Sequence, residues 1–259
     1  SSYITGLSCL LIIENSNINE KLRERLIAAY GQKLVFKSFG ENVGISKPIN
    51  YALKYAKNNN YSYLLTMDQD SQFSNNSFGK YLKYCDSIFK SSSEIALCSP
   101  VHKIKGVCEQ FEKHPKWVIT SGNLIDVAKC ADSYFDEKLF IDGVDFDFCM
   151  QLRKKGLKIY QTGLFSLAHE LGETKYVKFL WKTLKVTQHN PVRIYYIFRN
   201  YLFLIFYKET SGYRFSLFKL LVQFLIAIVF YEPEKIKKLK AILDGLTAFM
   251  RNKMGKYER

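Results

Sequence analysis

The stretch Tyr63-Leu64-Leu65-Thr66-Met67-Asp68-Gln69-Asp70-Ser71 is an apolar run that stops on two carboxylates one residue apart. In a strand, residues i and i+2 point the same way, so Asp68 and Asp70 are expected to project together from the strand's carboxyl end. In open α/β sheets that end is where ligands bind. Paired acids repel unless a cation lies between them, and hard divalent cations take oxygen ligands and bridge to phosphates. The spacing points either to a site for a metal–diphosphate, and so to a nucleotide-activated substrate, or to a solvated strand end.

Working outward, residues 7–13 and 33–38 form two more short apolar runs with strand character, and 19–30 and 48–58 carry apolar residues at helical spacing. Strands alternating with helices at these intervals predict an α/β fold with a mostly parallel, doubly wound, Rossmann-like sheet flanked by helices. Further along, 78–89 is expected as a helix, 95–99 as a strand, 117–123 as a strand entering a turn, and 125–131 as helical. Residues 143–155 are expected to form a helix stopped by Gly156, and 158–160 to start a strand. Beyond about residue 174 the pattern is helical and basic. The chain therefore divides into 1–173, an α/β domain, and 174–259, a helical extension.

The charge is uneven. Residues 1–150 hold 17 Lys and Arg against 17 Asp and Glu, whereas 151–259 hold 21 against 7, the whole of the +14 excess. That basic half is also aromatic, with Tyr195, Tyr196, Phe198, Tyr201, Phe203, Phe206 and Tyr207 close together. The combination suits an anionic membrane surface. A nucleic acid would also match the charge and the aromatics, but gives no reason for the acid pairs. Residues 215–230 are almost wholly apolar, yet at 16 positions they fall short of the ~20 that span a bilayer. An interfacial helix or a helix packed on the domain or on a second copy fits better. Six cysteines, at 9, 85, 98, 108, 130 and 149, form no Cys-x-x-Cys pair; they are expected as reduced thiols of a cytosolic protein. The apolar run at 7–13 lacks the flanks of a signal peptide.

Three further segments accompany the acid pair. Glu14-Asn15-Ser16-Asn17 closes a strand with polar groups able to hold a base or ribose. In Asn42-Val43-Gly44 the glycine allows close backbone approach and the asparagine can hydrogen-bond a nucleotide. Phe135-Asp136-Glu137-Lys138-Leu139-Phe140-Ile141-Asp142-Gly143-Val144-Asp145-Phe146-Asp147-Phe148-Cys149 packs acids among aromatics, a setting that raises carboxyl pKa values toward those a general base requires. His169, in Leu167-Ala168-His169-Glu170-Leu171-Gly172, follows a strand and can ligate the same cation.

In this order, and together with Ser121-Gly122-Asn123 and with Arg193-Ile194-Tyr195-Tyr196 followed by Arg199-Asn200, these pieces resemble the family 2 inverting glycosyltransferases of the GT-A fold, close to their bacterial rhamnosyltransferase branch. The resemblance spans residues 7–200. It implies that Asp68, Asp70 and His169 hold Mg2+ or Mn2+ on a nucleotide-sugar diphosphate. Glu14, Asn15, Asn42, Gly44 and Asp68 would bind the donor. Asp145 would be the catalytic base, and Ser121, Gly122, Asn123, Asp142 and Asp147 would face the acceptor. Arg193 and Arg199 would contact diphosphate or membrane phosphates. The implied partners are a nucleotide-sugar donor, a saccharide or lipid-linked saccharide acceptor and an anionic membrane surface, at the cytoplasmic face of the cell membrane, with a homo-oligomer also open.

The resemblance has departures. Family members carry a strand and a Thr-Tyr-Asn-like turn before the strand at 7–13, a piece the resemblance does not find here and which contributes to the base pocket. Glu14 stands where Asp is usual, and Gln151 where Arg is usual. The competing expectation is an inactive relative that serves as a membrane-associated binding module.

Overall fold

The computed structural model describes residues 6–15, 20–74, 77–103, 112–169, 175–179, 182–208 and 212–258. Strand β1 (Leu10–Glu14) is followed by α1 (Glu20–Tyr30), β2 (Leu34–Ser38), α2 (Ser46–Asn58), β3 (Tyr63–Leu65), β4 (Ser71–Phe73) and α3 (Phe78–Ser91). Then come β5 (Ile95–Lys103), β6 (Glu112–Lys113), β7 (Leu124–Asp126), α4 (Val144–Lys154) and β8 (Lys158–His169). The hairpin β9 (Lys175–Phe179) and β10 (Lys182–Val186) precedes three helices, α5 (Pro191–Tyr207), α6 (Arg214–Phe230) and α7 (Lys235–Met250). The chain forms two units. One is Ser1–Phe135 with Phe148–His169; the other is Asp136–Asp147 with Glu170–Arg259. The expected boundary at 173 leaves the acidic segment on its N-terminal side, whereas in the structure that segment packs with the C-terminal helices.

In the first unit the α/β class stands, but strand directions are mixed. β1 and β2 pair in parallel, from Leu10 opposite Leu34 to Glu14 opposite Ser38. The larger sheet runs β3-β7-β5-β8-β4, with β6 also on β8. Among the described residues only β5 with β8 is parallel there; β7 runs antiparallel to both of its neighbours. Residues 125–131, expected as helical, instead supply β7 and a run of turns. The apolar Leu124 and Ile125 are buried between β3 and β5, and two ladders outweigh a short stretch of helical spacing. Trp117–Thr120, expected as a strand, makes no ladder.

The core of this unit follows from α3. Its Phe78, Tyr81, Cys85 and Phe89 recur at helical spacing and are all buried, which sets one face on the sheet. They meet Phe73, Ile95, Cys98, Leu124, Tyr160 and Leu167. The Lys129 ammonium donates to the carbonyls of Phe89, Ser92 and Ile95, closing the carboxyl end of α3 as a cation does best. By contrast α1 forms as expected yet buries none of its residues.

In the second unit, residues 175–186 make an antiparallel hairpin where helix is expected. Thr183-Leu184-Lys185-Val186 alternates polar and apolar, and Val177, Thr183 and Val186 are β-branched, so the strand pattern prevails. Helix α5 begins with Asn190 accepting the Arg193 N–H at 2.8 Å and with Pro191 in its first turn, a strong start signal. It buries ten residues and packs against α6 and α7. At Gly245 of α7 an added Cβ would lie 2.8 Å from the Tyr195 carbonyl oxygen, so this glycine permits the α5–α7 approach. A buried ion pair, Lys238 to Glu232 at 2.8 Å, joins the start of α7 to the turn before it.

Candidate active site

The first unit draws together the acid pair and the Ser121-Gly122-Asn123 segment. β3 ends at Leu65, and the chain continues through Thr66 and Met67 to a turn closed by the Ser71 N–H on the Asp68 carbonyl at 3.2 Å. Asp68 and Asp70 are exposed in this turn. Strand alternation therefore does not set their direction, contrary to the sequence expectation, because the strand stops three residues early. The turn is pinned from the other side. Thr66 N–H donates to the Asn123 carbonyl, Gly122 N–H donates to the Thr66 carbonyl at 2.7 Å, and the Thr66 hydroxyl donates to the Thr120 carbonyl. The Ser121 hydroxyl accepts the Asp68 N–H at 3.1 Å and donates to the Ser71 hydroxyl at 2.8 Å.

Gly122 has φ +83°, and a Cβ there would sit 2.8 Å from Pro100 Cγ. Backbone conformation and space both demand glycine. The Tyr81 hydroxyl lies 2.9 Å from the carbonyls of both Gly122 and Cys98, and burial pushes its pKa well up. The side-chain oxygen of buried Asn123 finds no donor among the described residues. Two partners were missed in sequence: Ser71, and His102, whose Nε2 is 2.7 Å from the Ser121 carbonyl oxygen. Nothing in their spacing marks them, since both arrive through strand pairing.

His169 ends β8 in register with Ser71, so its backbone lies beside the acid turn. Its side chain lies outside the described residues, as do Ser16, Asn17, Cys108, Glu170, Leu171 and Gly172. Among the described residues no three His, Cys, Asp or Glu side chains are placed to hold a metal. The chemistry of the donor set still fits a hard cation, which commonly binds through one or two carboxylates and completes its shell with water and phosphate. Asp68 and Asp70 can supply that.

Three expected donor-binding residues, Asn15, Asn42 and Gly44, also converge. β1 ends in Glu14, and Asn15 follows it. The Asn15 amide donates to the Gly44 carbonyl at 2.8 Å and its oxygen accepts the Val43 N–H at 2.8 Å. The Asn42 oxygen accepts the Gly44 N–H at 2.9 Å, and Gly44 has φ 80°. The two asparagines thus shape the loop after β2.

The second unit holds the other acids. Asp142 and Gly143, with Phe140 just before them, adopt left-handed φ of 60°, 83° and 63°. For the two non-glycines this strain is of order 1–3 kcal/mol each. Buried Asn200 holds the loop, donating to the carbonyls of Leu139 at 2.7 Å, Ile141 at 2.6 Å and Asp142 at 2.8 Å. Arg199, fully buried, donates to the carbonyls of Gly255 at 2.8 Å and Leu139 at 3.3 Å and lies over the Tyr195 and Tyr196 rings. Its guanidinium is directed at protein, not at the phosphates the resemblance implies. Arg193 makes a two-pronged contact with Asp142, Nε and Nη2 lying 3.1 and 3.0 Å from Oδ1. Burial pushes the Asp142 carboxyl up, and Arg193 opposes part of that rise.

Lys208, unmarked in sequence, bridges the nearly buried Asp136 at 2.8 Å and Asp147 at 3.4 Å. Asp145 sits in the first turn of α4, where the helix dipole favours an anion, and it is partly exposed. Asp142 and Asp145 together raise the pKa of Tyr201, after burial itself, so all three groups share one neighbourhood. In the first unit, Gln151 exchanges hydrogen bonds with the Tyr134 backbone, a local use for the residue that departs from the family pattern.

No protein-family model matches the chain. It is 25% identical over 266 residues to the dTDP-rhamnosyl transferase RfbF of Shigella flexneri, a match covering 92% of this chain and 86% of that one. Among solved structures it resembles GalNAc-T7, crystallised with UDP, GalNAc and Mn2+, with a TM-score of 0.55 and 12% identity. That match takes in 95% of this chain but half of GalNAc-T7, and at such identity it speaks for the fold alone. The fold is therefore that of the GT-A glycosyltransferases, and in sequence the chain is similar to a dTDP-rhamnosyl transferase.

Proposed function

We propose that this enzyme catalyses metal-dependent, inverting transfer of a sugar, rhamnose in the first instance, from a nucleotide-sugar to a saccharide or lipid-linked saccharide in cell-surface polysaccharide synthesis, at the cytoplasmic face of the membrane. The observation that carries the reading is the exposed Asp68–Ser71 turn stitched to Ser121-Gly122-Asn123. It presents two carboxylates on a scaffold held by five backbone and hydroxyl bonds.

Asp68 and Asp70 would hold Mg2+ or Mn2+, with His169 as a further ligand. When bound, the cation supplies several kcal/mol of stabilisation to charge on a leaving diphosphate. Glu14, Asn15, Asn42 and Gly44 frame the donor's nucleoside. Asp145, partly exposed in the first turn of α4, accepts the proton of the acceptor hydroxyl as that oxygen attacks the anomeric carbon, a contribution of about 10²–10⁴-fold. One displacement inverts the anomeric centre. Asp142 and Asp147, already engaged by Arg193 and Lys208, fix the loop around the base.

Two variants test this with dTDP-rhamnose as donor and a membrane-lipid extract as acceptor. Asp145→Asn is expected to lose about 10²–10⁴-fold in turnover while keeping Mn2+-dependent nucleotide binding in calorimetry. Asp70→Ala is expected to lose that binding. Normal turnover by Asp145→Asn, or nucleotide affinity indifferent to Mn2+, refutes the assignment.

A further inference from the structure

Helix α6 leaves one face uncovered. Leu217, Leu221, Ala227 and Ile228 are buried, and the helix packs on α5, α7 and β10. Its other side exposes Phe215, Phe218, Val222, Leu225 and Val229, with Phe215 80% accessible. At 3.6 residues per turn these five fall within an arc of about 80°. Arg214 borders the arc on one side and Lys219 on the other, both exposed, and no Asp or Glu occurs between Arg214 and Phe230. The neighbouring α7 repeats the composition, exposing Ile236, Leu239 and Leu243 with Lys235 and Lys240 beside them. Among the described residues no helix is long and apolar enough to cross a membrane.

We propose that α6 is an in-plane membrane anchor, lying on an anionic lipid surface with Phe215, Phe218, Val222, Leu225 and Val229 sunk among the acyl chains and Arg214 and Lys219 at the headgroups. The proposal deepens the membrane-facing part of the proposed function and rests on it. Charge decides between occupants. An apolar strip edged on both sides by bases matches lipid phosphates, toward which Lys and Arg stems reach from a buried apolar face. A second copy of α6 offers no acid to meet Arg214 or Lys219, so a helix pair through this strip brings bases without partners. A lipid anchor also places the enzyme where a lipid-carried acceptor resides.

The test is flotation of the full chain with vesicles of phosphatidylcholine alone or mixed with phosphatidylglycerol, which reads binding without turnover and so separates failure of the anchor from failure of the glycosyltransferase assignment. The wild type is expected to float with the anionic vesicles preferentially. Phe215→Ser/Phe218→Ser is expected to lower the partition coefficient at least tenfold while keeping its thermal transition and its transfer to a water-soluble acceptor. Arg214→Gln/Lys219→Gln is expected to lower it about fivefold per base, the factor matching about 1 kcal/mol for each base near an anionic surface. Equal binding to neutral and anionic vesicles overturns the proposal, as does wild-type flotation by the Phe variant. A wild-type dimer in sedimentation velocity that Phe215→Ser/Phe218→Ser converts to monomer, with vesicle binding unchanged, assigns the strip to a second copy and also overturns it.

Discussion

Replacing Asn200 by alanine is the most informative single perturbation of the acidic loop. The residue is fully buried, and its amide reaches three carbonyls, those of Leu139, Ile141 and Asp142, at 2.6 to 2.8 Å. Leu139 retains other donors in the variant, since Arg199 Nη2 and the Ile141 N–H also reach its carbonyl. The carbonyls of Ile141 and Asp142 lose the amide, and Arg199 Nε loses the side-chain oxygen it donates to at 2.9 Å. A stranded buried polar group costs about 1–3 kcal/mol; two part-buried acceptors and one buried donor lose a partner, which puts the loss at roughly 4 kcal/mol. The loop also holds two non-glycine residues at positive φ, a strain that persists only while surrounding contacts impose it. Urea unfolding of the full chain measures the change directly. Asn50→Ala serves as comparison: it removes a paired bond to the Phe135 backbone at a less buried position and is expected to cost about 1–2 kcal/mol. An Asn200→Ala loss below about 1 kcal/mol would mean that these carbonyls are not held as described, and the account of the loop would fall with it.

Gly245→Ala should destabilise the chain although helix propensity favours alanine by about 1 kcal/mol. Its Cβ would stand 2.8 Å from the Tyr195 carbonyl oxygen and 3.4 Å from the Arg199 nitrogen, and overpacking costs about 1–3 kcal/mol, so a raised thermal midpoint refutes the close α5–α7 approach. Burial raises the Asp142 pKa despite Arg193. Between the ordinary carboxylate value of about 4 and the raised one, the folded chain therefore keeps a proton that the unfolded chain has released. Its contribution is present at low pH and is lost as pH rises through that window. Unfolding free energies taken from about pH 4 to about 7 should fall more in the wild type than in Asp142→Asn, and parallel profiles would contradict the burial.

The acid turn was legible because its signal is local: an apolar run ending in Asp68-Gln69-Asp70 needs no tertiary partner to be noticed. Asn15, Asn42 and Gly44 were legible for the same reason, being polar or glycine positions at strand ends. Ser71 and His102 were not, because their place beside Ser121 comes from ladders between residues far apart in the chain. The direction of β7 was equally hidden. Leu124-Ile125-Asp126 is too short for its period to decide anything, and its state is settled by burial against β3 and β5. Arg199 shows the opposite failure: a base in a basic, aromatic helix suggests a phosphate contact, while the fold buries it and turns its donors to carbonyls.

The amino-acid sequence alone determined the α/β class, the helices α1, α2, α3 and α4, the acid pair and the basic, aromatic character of the C-terminal half, since periodicity, caps and charge act over a few residues and survive without context. Tertiary structure alone decided strand order and direction, the packing of Asp136–Asp147 with the C-terminal unit, and which charged groups face protein and which face solvent. Those depend on desolvation and on backbone hydrogen bonds between distant segments, whose energies are set by the neighbour that folding supplies and not by the residue itself.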